Sequence, residues 1–276
     1  SIDVTGSTLS VSQVLDLSFG TFTGSTSSVL DLQAATTLFS SDEGVLFGSL
    51  TTNGNVLTLG SVSTHLKLND PLSLDGIALE TGAGSLTLLD TLSLSNSAVL
   101  NSTGGTITMG SGASVPSGTS ISLPDTTLVL ENDLSLTGGT LKTKNTTFTT
   151  NSKALSLSES SILEVEGVQD LSGVTLPDNT VTLLLAADST VKIDSFLTFG
   201  TLELADNTLT FEDGTAGWSF AQAVTLDDGD EQIVTGAGNL DLNGGINVTA
   251  GALSSTGGTL SLPSGATLVS GAAFST

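Results

Sequence analysis

The sequence predicts an all-β fold, a parallel β-solenoid (β-helix) that winds through stacked coils as a single elongated rod. Three observations predict it: phrases that recur along the chain, apolar residues alternating with small polar ones, and frequent turn-forming residues. Thr-Gly-Gly-Thr occurs at Thr103-Gly104-Gly105-Thr106, Thr137-Gly138-Gly139-Thr140 and Thr256-Gly257-Gly258-Thr259, in steps of 34 and 119 residues. Thr81-Gly82-Ala83-Gly84 and Thr235-Gly236-Ala237-Gly238 lie 154 residues apart. These separations are near multiples of about 17, short for two helices and a turn but suited to one coil of stacked strands. Coils of about 17 residues divide the 276-residue chain into roughly 16.

The strands follow from two-residue alternation, because successive side chains on a strand face opposite sides. Leu57-Thr58-Leu59, Leu66-Lys67-Leu68, Leu92-Ser93-Leu94, Ile107-Thr108-Met109 and Leu134-Ser135-Leu136 place apolar residues inward and polar ones outward. Strands this short do not stand alone as hairpins, but stacked on similar neighbours they form continuous parallel sheets. Gly, Asn, Asp and Pro mark the corners, as in Leu123-Pro124-Asp125 and Leu176-Pro177-Asp178. Phe19, Phe22, Phe39, Phe47, Phe196, Phe199 and Phe211 are expected to fill wider parts of the interior.

The rhythm fails in two regions, 32–48 and 212–232, which are expected as protruding loops. No charged linker or Pro-rich stretch interrupts the rest, so residues 1–276 read as one continuous domain.

Five Lys, no Arg and 28 acidic residues give a net charge of -23. A surface of that sign repels nucleic acid and anionic lipid, so neither is an expected partner. The absence of Cys excludes disulfides, thiolate metal sites and Cys nucleophiles. No apolar run reaches the roughly 18 residues of a membrane-spanning helix. Ser1-Ile2-Asp3 does not open a signal peptide, so a secreted form would have lost its signal before this numbering starts.

Candidate sites are few. His65, the single histidine, reads as a surface residue, and one His excludes multi-His zinc motifs. Catalysis is not expected: no Gly-x-Ser-x-Gly elbow is present, and no Arg is available to clamp a uronate. Trp218, with Phe220, is the candidate ligand platform for stacking on a sugar, against the alternative of a buried anchor. Asp227, Asp228, Asp230 and Glu231 are the candidate calcium ligands, since calcium takes several oxygens. Their spacing is not that of an EF-hand, and a solvated acidic loop is the competing reading. Asn101, Asn145 and Asn247 open N-glycosylation triplets.

With its Gly-Gly-Thr-Leu and Leu-x-Leu repeats, nearly the whole chain resembles the β-solenoid stalks of bacterial surface proteins. The group includes filamentous adhesins, autotransporter passengers and related extracellular fibre proteins. The resemblance implies secretion to the cell surface and a structural or adhesive role, and it carries over no functional residue.

Both ends keep the strand pattern, from Ile2 and Val4 at one and through Leu260, Leu262 and Leu268 to Phe274 at the other. Neither carries a charged or helical cap, so end-to-end stacking into a homo-oligomer or filament is the expected use. The leading function is therefore a structural extracellular fibre or surface-layer subunit. The alternatives are an adhesin module gripping a glycan or host cell-surface protein through the loops around Trp218, and a carbohydrate-active enzyme.

Overall fold

The computed structural model describes residues 1–19, 21–41, 44–177, 179–212, 217–269 and 273–275; Asp178, expected at a turn, lies outside them. The chain is all-β, with no helix among the described residues, and the strand pairings are parallel between successive coils. It is a parallel β-solenoid. The coils divide into two compact units, Ser1–Thr140 with Thr146–Ala154 and Leu141–Asn145 with Leu155–Thr276.

In the first unit each coil supplies three short strands, and most strands pair with the one three places further along. Ala78–Gly82, Ser85–Leu88 and Leu92–Ser95 form one coil. Val99–Ser102, Thr106–Met109 and Ala113–Ser114 form the next. Leu79 lies beside Leu100, Leu86 beside Ile107 and Leu92 beside Ala113. Like stacks on like: Leu57, Leu66, Leu79, Leu86, Leu100 and Ile107 are buried in files along the interior. Transfer of such side chains from water stabilises the stack by roughly 1.5–3 kcal/mol each.

The second unit opens differently. Ile162–Asp170 and Thr182–Lys192 are long strands that pair through a bulge, where the register shifts between Val165 and Gly167. Thr208–Phe211, Gly217–Phe220 and Val224–Leu226 then restore three strands per coil. They pair with Gln232–Thr235, Asn239–Leu242 and Ile246–Val248. Among the described residues three ion pairs join neighbouring strands of this unit: Lys142–Glu164 at 2.7 Å, Lys144–Glu166 at 2.5 Å and Lys192–Asp170 at 3.2 Å. They are solvated and worth about 0–1 kcal/mol each.

The coil spacing is about 21 residues rather than 17, and the chain makes about 12 turns rather than 16. The expectation failed because one phrase serves two corners. Gly105 leads into Thr106–Met109, and its carbonyl accepts from Thr127 N one coil on. The second copy sits elsewhere on the coil: Thr140 N donates to Thr119 O, just ahead of Ser120–Pro124. The step of 34 residues between them therefore mixes a whole coil with part of another. The Thr-Gly-Ala-Gly phrases do occupy equivalent places, each following a strand and leading to the next, and 154 divides into seven steps of 22.

The two irregular regions hold strands of the coils. Thr36–Ser40 and Val45–Phe47 lie in the first, Gly217–Phe220 and Val224–Leu226 in the second. Among the Phe residues, Phe47, Phe199, Phe211 and Phe220 are buried, but Phe19 is 91% exposed and Phe196 54%. Phe19 lies past the end of Val14–Leu17, and Phe196 is one residue out of phase with inward-facing Leu197. The Phe196 ring instead covers Gly217, where a Cβ would meet it at 2.7 Å.

Candidate functional site

Trp218 and Phe220 belong to an interior aromatic cluster. Trp218 is 2% exposed and Phe220 is fully buried. The strand register sets Trp218 between Leu197 and Leu240, and Phe220 between Phe199 and Leu242. The indole stacks on Phe199 at 5.8 Å and 12° and tilts against Phe211 at 4.5 Å. Phe199 also stacks on Phe220 at 5.9 Å. Large aromatic rings in such offset contacts add about 0.5–1.5 kcal/mol per pair beyond their burial. Sugar stacking on this indole would require it to leave the interior.

The acidic run turns back on itself. Glu231 Oε2 accepts from the amides of Asp227 at 2.7 Å and Asp228 at 3.3 Å, and Asp228 Oδ1 accepts from Asp230 N at 3.0 Å. Glu231 is buried, so its carboxylate is engaged in closing the turn. Among the described residues no group of three or more His, Asp or Glu is arranged to hold a metal ion.

His65 is half-buried, with Nε2 2.8 Å from Thr87 Oγ1. Burial, aided by the nearby Lys67 charge, lowers its pKa. Asn101 Nδ2 donates to Glu80 Oε2 at 2.6 Å, while Asn145 Oδ1 accepts from Val168 N at 3.4 Å. Asn247 faces outward between Thr225 and Thr267.

Two features were not visible in the sequence. A groove of about 300 Å³ runs beside the bulge, lined by Gly167, Val168, Asp188, Thr190, Thr208 and Thr210. It holds one carboxylate, and Asp188 Oδ1 already accepts from Thr208 N at 2.8 Å. The paired carboxyl groups needed for glycoside hydrolysis are not in it. The second feature is Gln169, fully buried in Ile162–Asp170. Its Nε2 donates to Glu166 O at 3.1 Å, but its Oε1 has no partner. An orphaned buried acceptor costs about 1–3 kcal/mol. Gln169→Met is therefore expected to leave the unit as stable or to stabilise it by up to ~2 kcal/mol in urea unfolding. A loss above that size would show that the amide is satisfied.

The remaining candidate surfaces are the first and last coils of the described residues. Ile2–Asp3, Thr8–Val11 and Val14–Leu17 each pair on one side only among the described residues, with Phe22–Thr23, Val29–Leu32 and Thr36–Ser40. Leu260–Ser261, Ala266–Leu268 and Ala273–Ser275 are likewise single-sided. Ile2 is 44% exposed and Leu268 53%, whereas Val4, Val11 and Leu17 are buried and Val14, 64% exposed, faces outward beside Thr37. Leu268 is the last member of the inward file Leu226–Val248–Leu268, whose other members are buried.

Asp3 and Asp16 lie on the first of these coils. The Thr5 amide at 2.9 Å leads the interactions that hold the Asp3 carboxyl below the usual carboxylate range. Ser18 does the same for Asp16, first through its hydroxyl and then through its amide.

Comparison with protein-family models, curated proteins and solved structures gives no match for this chain. The fold defines its class: a repeat protein of the parallel β-solenoid type.

Proposed function

We propose that the chain is a structural extracellular protein, a self-associating fibre or surface-layer subunit whose solenoids stack end to end. One observation carries the reading. Parallel strands of successive coils repeat in register with apolar side chains stacked in buried files, a build that offers strand edges rather than a pocket. Such edges template pairing with another chain unless they are blocked by charge, Pro or a cap. A fibre subunit needs surface and repetition rather than a pocket, and no catalytic role is assigned.

The adhesin alternative rested on Trp218, and its buried position lends that reading no support. The test is negative-stain electron microscopy and sedimentation of the purified chain across a concentration series, with and without calcium. The expected result is concentration-dependent linear assemblies. Monomers at every concentration would sink the proposal.

A further inference from the structure

We infer that the groove beside the bulge of the second unit is a binding site for a single neutral sugar residue. The regular build of the coils breaks there, and the shape, the side chains and the charge of the groove point to that class of ligand.

The shape comes from the strand register. Val165 lies beside Leu185 and Gly167 beside Ser189, so Glu166 on one strand faces Ala186, Ala187 and Asp188 on the other. An insertion of this kind bends its strand and re-aims a side chain. The strand Thr182–Lys192 also forks. Its first residues pair with Thr201, Leu202 and Glu203, while Ser189, Thr190 and Val191 pair with Leu209, Thr210 and Phe211. The bulge is fixed from inside: the buried Ser189 hydroxyl lies 2.8 Å from Ala187 O and 3.3 Å from Val165 O. Gly167 makes the turn with a φ of +73°. The groove is therefore preformed, and its volume of about 300 Å³ lies at the lower end for small-ligand sites, enough for one ring.

The side chains on its walls suit a polyhydroxylated ligand. Gln169, Val191 and Phe211 are buried, so their neighbours Val168, Thr190 and Thr210 face outward, in register on adjacent strands. The hydroxyls of Thr190, Thr208 and Thr210 have no hydrogen-bond partner among the described residues. Asp188 uses Oδ1 to accept from Thr208 N at 2.8 Å, which leaves Oδ2 open. A sugar hydroxyl can donate to that oxygen, and the Thr hydroxyls can donate or accept as the ring requires. Val168, 61% exposed, and the Thr methyl groups offer apolar contact to the C–H face of the ring.

Charge removes the competing ligands. Asp188 is the only charged residue on the walls among the described residues, in a chain of net charge -23. An anionic sugar or a phosphate would meet its carboxylate with no cation to offset it. Calcium takes about six to eight oxygens, and one carboxylate is a poor start on that number. A lone carboxylate also lacks the partner that hydrolysis needs, so the groove holds a sugar without cleaving it.

Saturation-transfer NMR of the full chain tests the site, with glucose, galactose, mannose and N-acetylglucosamine each titrated through the millimolar range. At least one of the four is expected to bind. Asp188→Asn should weaken that binding about tenfold or more, and Thr190→Val about fivefold. Thr108→Val, which alters an outward Thr of the first unit, should leave it unchanged. Asparagine keeps the oxygen that accepts from Thr208 N, and valine keeps a β-branched residue on its strand, so both variants preserve the fold. Circular dichroism checks that they do. Failure of all four sugars to bind would overturn the inference, and so would binding that is equally strong in both variants. Binding of glucosamine or glucuronate in place of the neutral sugars would overturn the ligand class. These outcomes are read on the groove alone, so they stand apart from whether the chain assembles into fibres.

Discussion

Replacing Trp218 by alanine is expected to destabilise its unit by roughly 3–5 kcal/mol, the upper range for truncation of one buried side chain. The indole fills the space between Leu197 and Leu240 and stacks against Phe199 and Phe211. Alanine leaves a cavity whose walls are tied into strands and cannot close over it. Because each coil contacts only its neighbours, the damage is local, and the unfolding transition should broaden as this part of the stack opens first. Thermal melts followed by circular dichroism measure the loss. A cost under about 1 kcal/mol would mean that the ring is not packed as described.

The wild-type chain offers an independent check, since Trp218 is its only tryptophan. Its emission should be blue-shifted and resistant to iodide quenching until the chain unfolds. Oligosaccharides should leave it unchanged. Free quenching in the native state would return the indole to the surface and revive the sugar-platform reading.

The alternation of side chains was legible wherever inward positions are apolar and outward ones polar, because the period of a strand is set by covalent geometry. Leu57 and Leu59, Leu66 and Leu68, and Leu92 and Leu94 are inward and buried, as their spacing requires. The coil length was less legible, because a turn phrase reports the local bend and not which corner is bending. The region at 32–48 was misleading for another reason. Thr36, Leu38 and Ser40 all face inward, and two of them are polar. Thr36 Oγ1 donates to Ala34 O at 2.9 Å, while Ser40 Oγ accepts from His65 N at 2.9 Å. Corner hydroxyls satisfied in this way pass inside a strand that reads as a loop.

The same holds around Trp218. Ser219 faces away from Trp218 and Phe220, yet it is buried because Asn243 Nδ2 reaches its hydroxyl at 2.7 Å. Four buried residues in a row conceal the alternation. The candidate site was correspondingly hard to read. A lone aromatic in a polar stretch has the same appearance whether it lies above or below the sheet.

Gly48→Ala should bring the other large loss, about 2–3 kcal/mol, through crowding rather than through an empty space. A Cβ built on Gly48 would stand 2.2 Å from Thr26 O, 2.7 Å from Thr26 C and 3.1 Å from Ser28 O. All three are backbone atoms of the adjacent coil, so no side chain can rotate away. Nor can Gly48 retreat. Its amide donates to Ser28 O at 2.8 Å, and its carbonyl accepts from Asn69 N at 3.1 Å and Asp70 N at 2.7 Å. It is held by the coils on both sides, and moving it strains hydrogen bonds worth about 1 kcal/mol each. Gly54 separates this cause from simple backbone preference. Its φ is +76°, but a Cβ there meets nothing within 4 Å. Gly54→Ala should therefore cost only the left-handed strain of an L-residue, about 1–2 kcal/mol. Urea unfolding of the two variants ranks them. If Gly48→Ala proves the milder of the pair, or stays within about 0.5 kcal/mol of the wild type, close backbone approach is not what fixes the spacing of these coils.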